Sequence, residues 1–371
     1  MRFPEFSGEW EEEQLDSIAT LSKGIGISKE QLSEDGEPCI LYGELYTKYK
    51  SEIIKQVESK TDIDCSKLKR SKANDVIIPC SGETAVDIAT ARCVPFDNIL
   101  LGGDLNIISL HKYDGAFMSY QLNGKRKYDI ARVAQGVSVV HLYGEHLKAI
   151  KTYNPSLPEQ QKIAKLLSLI DERIATQNKI FEDLKKLKSA IRKKIFSLLK
   201  DEYTKSFEIN QLLDYEQPTA YIVANDEYST DTRLTPVLTA NKGFILGYTD
   251  EKNGIYQKGA CIIFDDFTMD AKYVSFPFKV KSSAIKILTA KPNVNLRFMF
   301  EYLSHWELKS EEHKRHYISE ISPLVIELPS KEKQNIIALL MTSLNNKLTI
   351  EEKAKIRYEV QKGYLLSQMF I

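Results

Sequence analysis

The stretch Leu157–Leu199 (LPEQQKIAKLLSLIDERIATQNKIFEDLKKLKSAIRKKIFSLL) constrains this chain more than any other. Taken alternately four and three residues apart it yields Ile163, Leu167, Ile170, Ile174, Gln177, Phe181, Leu184, Lys188, Ile191, Ile195 and Leu198. Nine of these eleven are apolar, and a 3.5-residue period keeps one stripe turned toward a partner helix, so the stretch predicts a coiled-coil seam. Pro158 suits a first helical turn, where its missing N–H costs nothing. At about 1.5 Å per residue the rod runs to roughly 60 Å, too long for one small domain to cover.

The last 45 residues repeat the pattern. A shift of 174 places Ile163 on Ile337, Leu166 on Leu340, Ile170 on Leu344, Ile174 on Leu348, Leu184 on Tyr358, Ile191 on Leu365, Ile195 on Met369 and Phe196 on Phe370. Matching Leu157-Pro158 to Leu328-Pro329 requires a three-residue insertion, Ser-Lys-Glu, in the second copy. That copy carries Glu351, Lys355 and Lys362 at seam positions and reads as the weaker seam. A fixed offset over some forty residues marks a duplication. A domain precedes each helix, so helix two must run back along helix one to bury its stripe. The expected class is α+β: two strand-rich mixed domains (1–156 and 203–327), separated by a long antiparallel two-helix coiled coil (157–202 and 328–371), with a pseudo-two-fold internal repeat and a domain at each end.

Short apolar runs bounded by Gly, Pro or Asp predict the strands. In the first domain these are 75–79, 98–101, 105–110 and 136–140, with a turn at 81–84 and a helix at 115–122. In the second they are 235–239, 259–264, 273–280 and 284–288, with an amphipathic helix over 295–305. A shared order with little shared sequence suggests two readers of different targets.

The chain has 51 Lys plus Arg against 51 Asp plus Glu, and a neutral total weighs against autonomous duplex binding. The distribution is uneven: residues 1–35 hold nine acids against three bases, while 184–200 holds seven bases and no acid. That basic run lies either over DNA or on the coil's solvated face. There is no eighteen-residue apolar run and no signal peptide, and five cysteines without a CxxC pair read as reduced thiols, so a cytoplasmic protein without a metal site is expected. No GxxxxGK[ST] is present, and Gly102-Gly103 lacks the GxGxxG context of dinucleotide folds. Asn154-Pro155-Ser156-Leu157 resembles the Asn-Pro-Pro-aromatic loop of amino-methyltransferases, but lacks the aromatic and sits where a helix must be capped. His313 and His316 have a metal-compatible spacing without a carboxylate cluster. No catalytic residues are expected in this chain.

Leu157–Ile174, the runs 235–256 and 261–288, and the Leu-Pro-Glu-Gln-Gln opening carry a resemblance to the specificity subunit of type I restriction-modification systems, across the whole chain. Gly82-Glu-Thr84 and 98–106 are similar to the family's first-domain pattern. The resemblance implies two target-recognition domains, each reading half of a bipartite double-stranded DNA target, with the coil setting the gap. It also implies assembly with two modification subunits that methylate adenine N6, and with restriction subunits. No cofactor belongs to this chain on that reading; S-adenosylmethionine, ATP and Mg belong to the partners.

Base reading needs forked donors and acceptors on loops, and phosphates are met by Lys, Arg and backbone N–H. The candidates in the first domain are Ser81, Glu83 and Thr84, then Asn123, Lys125, Arg126 and Lys127, then Gln135 and Ser138. In the second they are Thr239, Asn241 and Lys242, then Lys279, Lys281, Ser282 and Ser283, then Lys314, Arg315, His316 and Tyr317. Residues 123–127 serve equally as an ordinary basic turn, and 279–286 as a solvated strand face. Asp265-Asp266 is expected to position a loop or accept from cytosine. Leu166, Leu169, Ile180 and Leu187 beside the seam suit docking of modification-subunit helices. The competing class is a non-catalytic coiled-coil scaffold for proteins; a self-contained DNA methyltransferase is disfavoured by the missing cofactor motifs.

Overall fold

The computed structural model describes residues 2–199, 205–239, 243–306 and 315–370. The chain divides into two compact units, one taking residues up to Lys179 together with 353–371, the other Ile180–Glu352. Each unit therefore owns one half of each long helix, Leu157–Leu199 and Lys331–Met369.

The two units repeat one architecture. In unit 1 an antiparallel sheet runs in the order Ala19–Lys23, Leu105–Leu110, Asp75–Pro79, Arg92–Val94. In unit 2 the order is Leu213–Glu216, Ile285–Ala290, Cys261–Asp265, Ala271–Val274. The strands Asp75–Pro79 and Cys261–Asp265 are buried throughout, which explains their continuous apolar runs. A second sheet follows in each. Glu37–Ile40 pairs in parallel with Leu100–Leu101 in unit 1, and Thr235–Leu238 pairs in parallel with Lys279–Val280 in unit 2. A two-stranded ribbon, Glu11–Gln14 with Lys151–Asn154 and Lys205–Glu208 with Val325–Leu328, joins each domain to a long helix.

The strands differ from expectation in two places. Residues 136–139 are not strand, because Gly136 takes φ +122° and Gln135 and His141 exchange both backbone hydrogen bonds, closing a loop; only Val140–His141 remains extended. Residues 273–280 are not one strand either. Ala271–Val274 and Lys279–Val280 lie in different sheets, with Phe276-Pro277 breaking the ladder between them.

The domain helices Gly115–Asn123 and Leu296–His305 sit on the coil through a repeated device. Asp114 and Asn295 cap them, their side chains accepting from the N–H groups of Phe117 and Phe298. The cap's own N–H donates to a buried glutamine of the long helix: Asp114 to Gln160 Oε1 at 2.9 Å, and Asn295 to Gln334 Oε1 at 2.8 Å. Each glutamine's Nε2 returns to a proline carbonyl, Pro155 at 2.7 Å and Pro329 at 2.9 Å. The prolines and glutamines of the long helices obey the 174 shift, so the insertion is corrected: the repeat runs unbroken from Pro155 and Pro329, and the Leu-Pro pairing was out of register. Gln160→Ala strands the buried Pro155 carbonyl and releases the half-buried Asp114 N–H, and is expected to lose about 1–3 kcal/mol of unit 1 stability in urea unfolding, the cost of one unsatisfied buried group.

In unit 1, Ile163, Ala164, Leu167 and Ile170 pack with Leu365, Met369 and Phe370. In unit 2, Ile191, Ile195, Phe196 and Leu199 pack with Ile337, Ala338, Met341 and Leu344. The start of one helix thus meets the end of the other in both units, which makes the pair antiparallel. Ile174, Phe181, Leu184 and Leu348 are half-buried. Phe370 packs against Phe117 with ring centres 5.3 Å apart and Phe196 against Phe298 at 5.7 Å, both pairs tilted and at equivalent places in the two units.

One polar seam residue of the second helix, Lys362, is taken into the fold by buried carboxylates. Lys362 reaches Glu52 at 2.5 Å and Asp171 at 2.7 Å, and Asp171 also accepts from Tyr120 and Ser51. Burial holds the Glu52 carboxyl above its ordinary range, and Lys362 opposes that rise. Unit 2 answers with Arg192, whose Nε and Nη2 hold the fully buried Glu301 at 3.1 and 2.8 Å while Asn345 donates to its other oxygen. The basic run 184–200 is therefore split. Arg192 and the half-buried Lys188, its ammonium pKa lowered by desolvation, serve the fold. Lys185, Lys186 and Lys194 are exposed.

Candidate nucleic-acid interface

One edge of each unit gathers three loops by equivalent backbone hydrogen bonds. In unit 1 Gly102 N donates to Ile40 O (2.9 Å), Cys80 N to Asp104 O (2.7 Å), and Leu142 N to Cys80 O (2.8 Å). In unit 2 Lys281 N donates to Leu238 O, Asp266 N to Ala284 O, and His316 N to Asp266 O, each at 2.9 Å. The loops are the turn leaving the parallel strand pair (102–104 and 281–284), the segment after the central strand (80–84 and 266–269), and an arm arriving from later in the chain (135–142 and 315–317).

Most of the candidates from sequence fall on these rims. In unit 1 Ser81–Gly82 is a short strand rather than a turn, paired with Val140–His141. It sets Glu83 and Thr84, both exposed, beside the arm bearing exposed Gln135 and Ser138. Thr84 caps the helix Ala85–Ile88 by accepting from Asp87 N. In unit 2 Lys281, Ser282 and Arg315 are exposed and Ser283 half-buried, brought together by the bonds above. Asn241, Lys242, Lys314 and His313 lie outside the described residues.

Several candidates are corrected because they are turned inward. Lys279 keeps only 4% of its side-chain surface exposed, pairs with Glu251 at 2.6 Å and donates to Asn253 O. The hydrogen bond from Lys279 to Glu251 holds that carboxyl below the usual carboxylate range. His316 is buried with Nδ1 at 2.8 Å from Glu320, and Tyr317 is buried between Tyr215 and Phe264. Thr239 is buried, and Ser81 is nearly so, its hydroxyl donating to Asp104. Asn123 exchanges two hydrogen bonds with the backbone of Ala91. Arg126 lies 5.1 Å over the Tyr153 ring and pairs with Asp129. Lys125 is exposed and Lys127 half-buried, but none of the rim's bonds gathers 123–127 there.

Asp265 and Asp266 position loops. Asp265 accepts from the N–H groups of Phe267 and Thr268, and Asp266 from Tyr317 N at 2.8 Å. Lys286 faces Asp266 at 3.3 Å with both side chains 1% exposed, so the arm of unit 2 is pinned by a buried ion pair. The sequence reading missed Lys23, His141 and Tyr143. Lys23 lies 5.7 Å over the Tyr143 ring, which stacks against His141. The polar-apolar alternation after Gly136 was the local signal for His141 and Tyr143, and Lys23 had none. Burial pushes the thiols of Cys39 and Cys80 up to about 11 and those of Cys93 and Cys261 to about 12, which keeps them protonated. Among the described residues no His, Cys, Asp and Glu group could hold a metal ion, and no helix is long and apolar enough to cross a membrane.

This duplicated frame has relatives. The family model for the type I restriction modification DNA specificity domain matches twice, at residues 7–186 and 201–360. The chain is similar to the Escherichia coli type I restriction enzyme EcoR124I/EcoR124II specificity subunit, 39% identical over 178 residues, 43% of this chain and 43% of that one. It is also similar to the putative MjaX specificity subunit of Methanocaldococcus jannaschii, 25% identical over 251 residues, 60% of this chain and 58% of that one. The chain thus spans about half the length of the curated relatives it matches. In fold it resembles the S subunit of the type I restriction-modification system of M. genitalium, with TM-score 0.70 at 17% identity over 100% of this chain and 97% of that one. A chain from a structure concerned with complex assembly and conformational transition of the type I R-M system aligns with TM-score 0.56 at 12% identity over 98% of this chain and 97% of that one. With its domain matched once in each half and its fold shared from end to end, the chain belongs to the type I restriction-modification DNA specificity family.

Proposed function

We propose that the chain is the sequence-specificity subunit of a type I restriction-modification enzyme, reading a bipartite DNA target with its two rims. The observation that carries this is the rim itself: one hydrogen-bonded frame built twice, bearing Glu83, Thr84, Gln135 and Ser138 in one unit and Lys281, Ser282, Ser283 and Arg315 in the other. A conserved frame with exchanged side chains is what two readers of different half-sites need, since base edges are told apart by donor and acceptor pattern. The chain supplies no chemistry. Two modification subunits with S-adenosylmethionine methylate adenine N6, and restriction subunits with ATP and Mg cleave, in the cytoplasm.

Leu169, Ile180 and Leu187 on the first coil helix, 40–51% exposed, support docking of the modification subunits. Leu166 leaves this set because it is half-buried against the unit 1 cluster. Alanine at Leu169 and Ile180 together is expected to abolish co-purification of those subunits; intact co-purification sinks the assignment.

Mapping methylated adenines genome-wide in cells carrying this chain and its partners tests the function, and one split sequence is the expected result. Lys281→Ala and Arg315→Ala are each expected to lower the slope of log affinity against log salt by about one where they meet phosphate. The scaffold reading draws on apolar exposure along the second coil helix, as at Leu339 and Val360. It predicts partner binding with no methylated split sequence.

A further inference from the structure

The arm of unit 1 ends in a feature that neither the fold nor the readout of polar base edges uses. Val137 is 97% exposed and Val139 53% exposed, on a loop whose neck is closed by hydrogen bonds of 2.9 and 2.6 Å between Gln135 and His141. Gly136, at φ +122°, makes the turn, and a Cβ there would lie 2.1 Å from Val139 O, so the loop's shape is imposed by its backbone. Around the tip the side chains alternate in kind: Gln135, Val137, Ser138, Val139, His141. The strand below, Val140–His141, continues the finger as a two-stranded ribbon with Ser81–Gly82.

We propose that Val137 and Val139 read thymine, through the C5-methyl groups that line the major groove, in the half-site taken by unit 1. This rests on the proposed DNA-reading function and specifies its chemistry. The major groove admits a two-stranded ribbon, and an apolar side chain distinguishes thymine by its methyl group. The valines are continuous with the polar rim: the arm carries them between Gln135 and His141, beside Glu83 and Thr84. At the equivalent place unit 2 presents the arm bearing Arg315, which suits a guanine or a phosphate, so the two arms would discriminate by opposite chemistry. At the neck of the loop, where Tyr143 stacks against His141, Lys23 over the Tyr143 ring supplies a cation for the flanking backbone.

The test uses the full chain assembled with the methyltransferase subunits of its own host. Once the methylated sequence is mapped, duplexes are made with every thymine replaced by uracil in one half-site at a time, which removes only the methyl groups. The wild-type complex is expected to bind one uracil-substituted half-site at least about fourfold more weakly, the worth of one buried methyl. The Val137→Ser, Val139→Ser variant is expected to bind that duplex and its thymine parent equally well. Both positions are exposed, and an unchanged melting temperature and subunit co-purification would show the variant intact. The inference is overturned if neither half-site responds to uracil, or if the variant keeps the full response. Loss of the methyltransferase subunits from the variant would also overturn it, by making the tip a protein contact. Absence of any methylated split sequence with the wild-type chain overturns the underlying function, and this inference with it.

Discussion

Lys362→Met is expected to destabilise unit 1 by about 3–5 kcal/mol, because it removes the ammonium that bridges the buried Glu52 and Asp171 and leaves their charge only partly offset by Arg92. The loss should appear as faster hydrogen exchange across Gly115–Asn123, whose Tyr120 and Ser119 bond to Asp171 and to the Glu52 carbonyl. It also carries a pH signature. Burial already holds the Glu52 pKa above its unfolded value, and removing Lys362 takes away the charge that most opposes this. A carboxyl raised in the folded state favours folding fully below its unfolded pKa, and that contribution is lost as the pH rises through the folded pKa. The deficit of the variant is therefore expected to be largest at neutral and alkaline pH and to shrink as the pH falls toward the carboxylate range. Urea unfolding at a series of pH values measures it, and a deficit independent of pH would show that the carboxylates are not what the lysine neutralises.

Arg192→Leu is expected to act on unit 2 with similar size, about 3–5 kcal/mol, since Glu301 has no exposed side-chain surface and loses its paired guanidinium, keeping the Asn345 hydrogen bond and the charge of the half-buried Lys188. Arg192→Lys should recover part of this and not all. A single ammonium cannot reproduce the fork that spans Glu301 and the Ser304 carbonyl. Exchange should quicken in Leu296–His305 while Gly115–Asn123 stays protected. Together the two variants separate the units: one loosens each helix that rests on the coil. A single transition shared by both units in both variants would contradict independent anchoring.

The coil was legible because a seam depends on spacing alone, and Ile163, Leu167 and Ile170 needed only their 4-3 intervals to be placed. The duplication was legible for the same reason, yet its start was misjudged: the eye pairs Leu-Pro with Leu-Pro, whereas the structure pairs Gln160 with Gln334. What makes that pairing visible is a hydrogen bond to Asp114 or Asn295, some forty residues upstream in each case. Lys362 looked like a flaw in the seam because its partner Glu52 lies 310 residues away. Lys279 looked like a DNA contact because nothing local announces Glu251 beneath it, whereas Arg315 and Lys281 stay exposed on the rim. Composition finds the residue types that bind nucleic acid, but long-range pairing decides which of them the fold has already taken.

The division of each long helix between two units also sets an order of events during synthesis. Unit 2 is one uninterrupted segment, Ile180–Glu352, so all of its core, including the Phe196 ring contacts and the Glu301 pair, exists before residues 353–371 have been made. Unit 1 begins first and finishes last. Its sheets can form early, but Trp10, Phe117 and the Ile163–Ile170 stripe must wait for Leu365, Met369 and Phe370 to cover them. With chains growing at about 5–20 residues per second, residues 180–371 occupy roughly 10–40 seconds, during which that face is open to solvent and to any helix able to imitate the missing one.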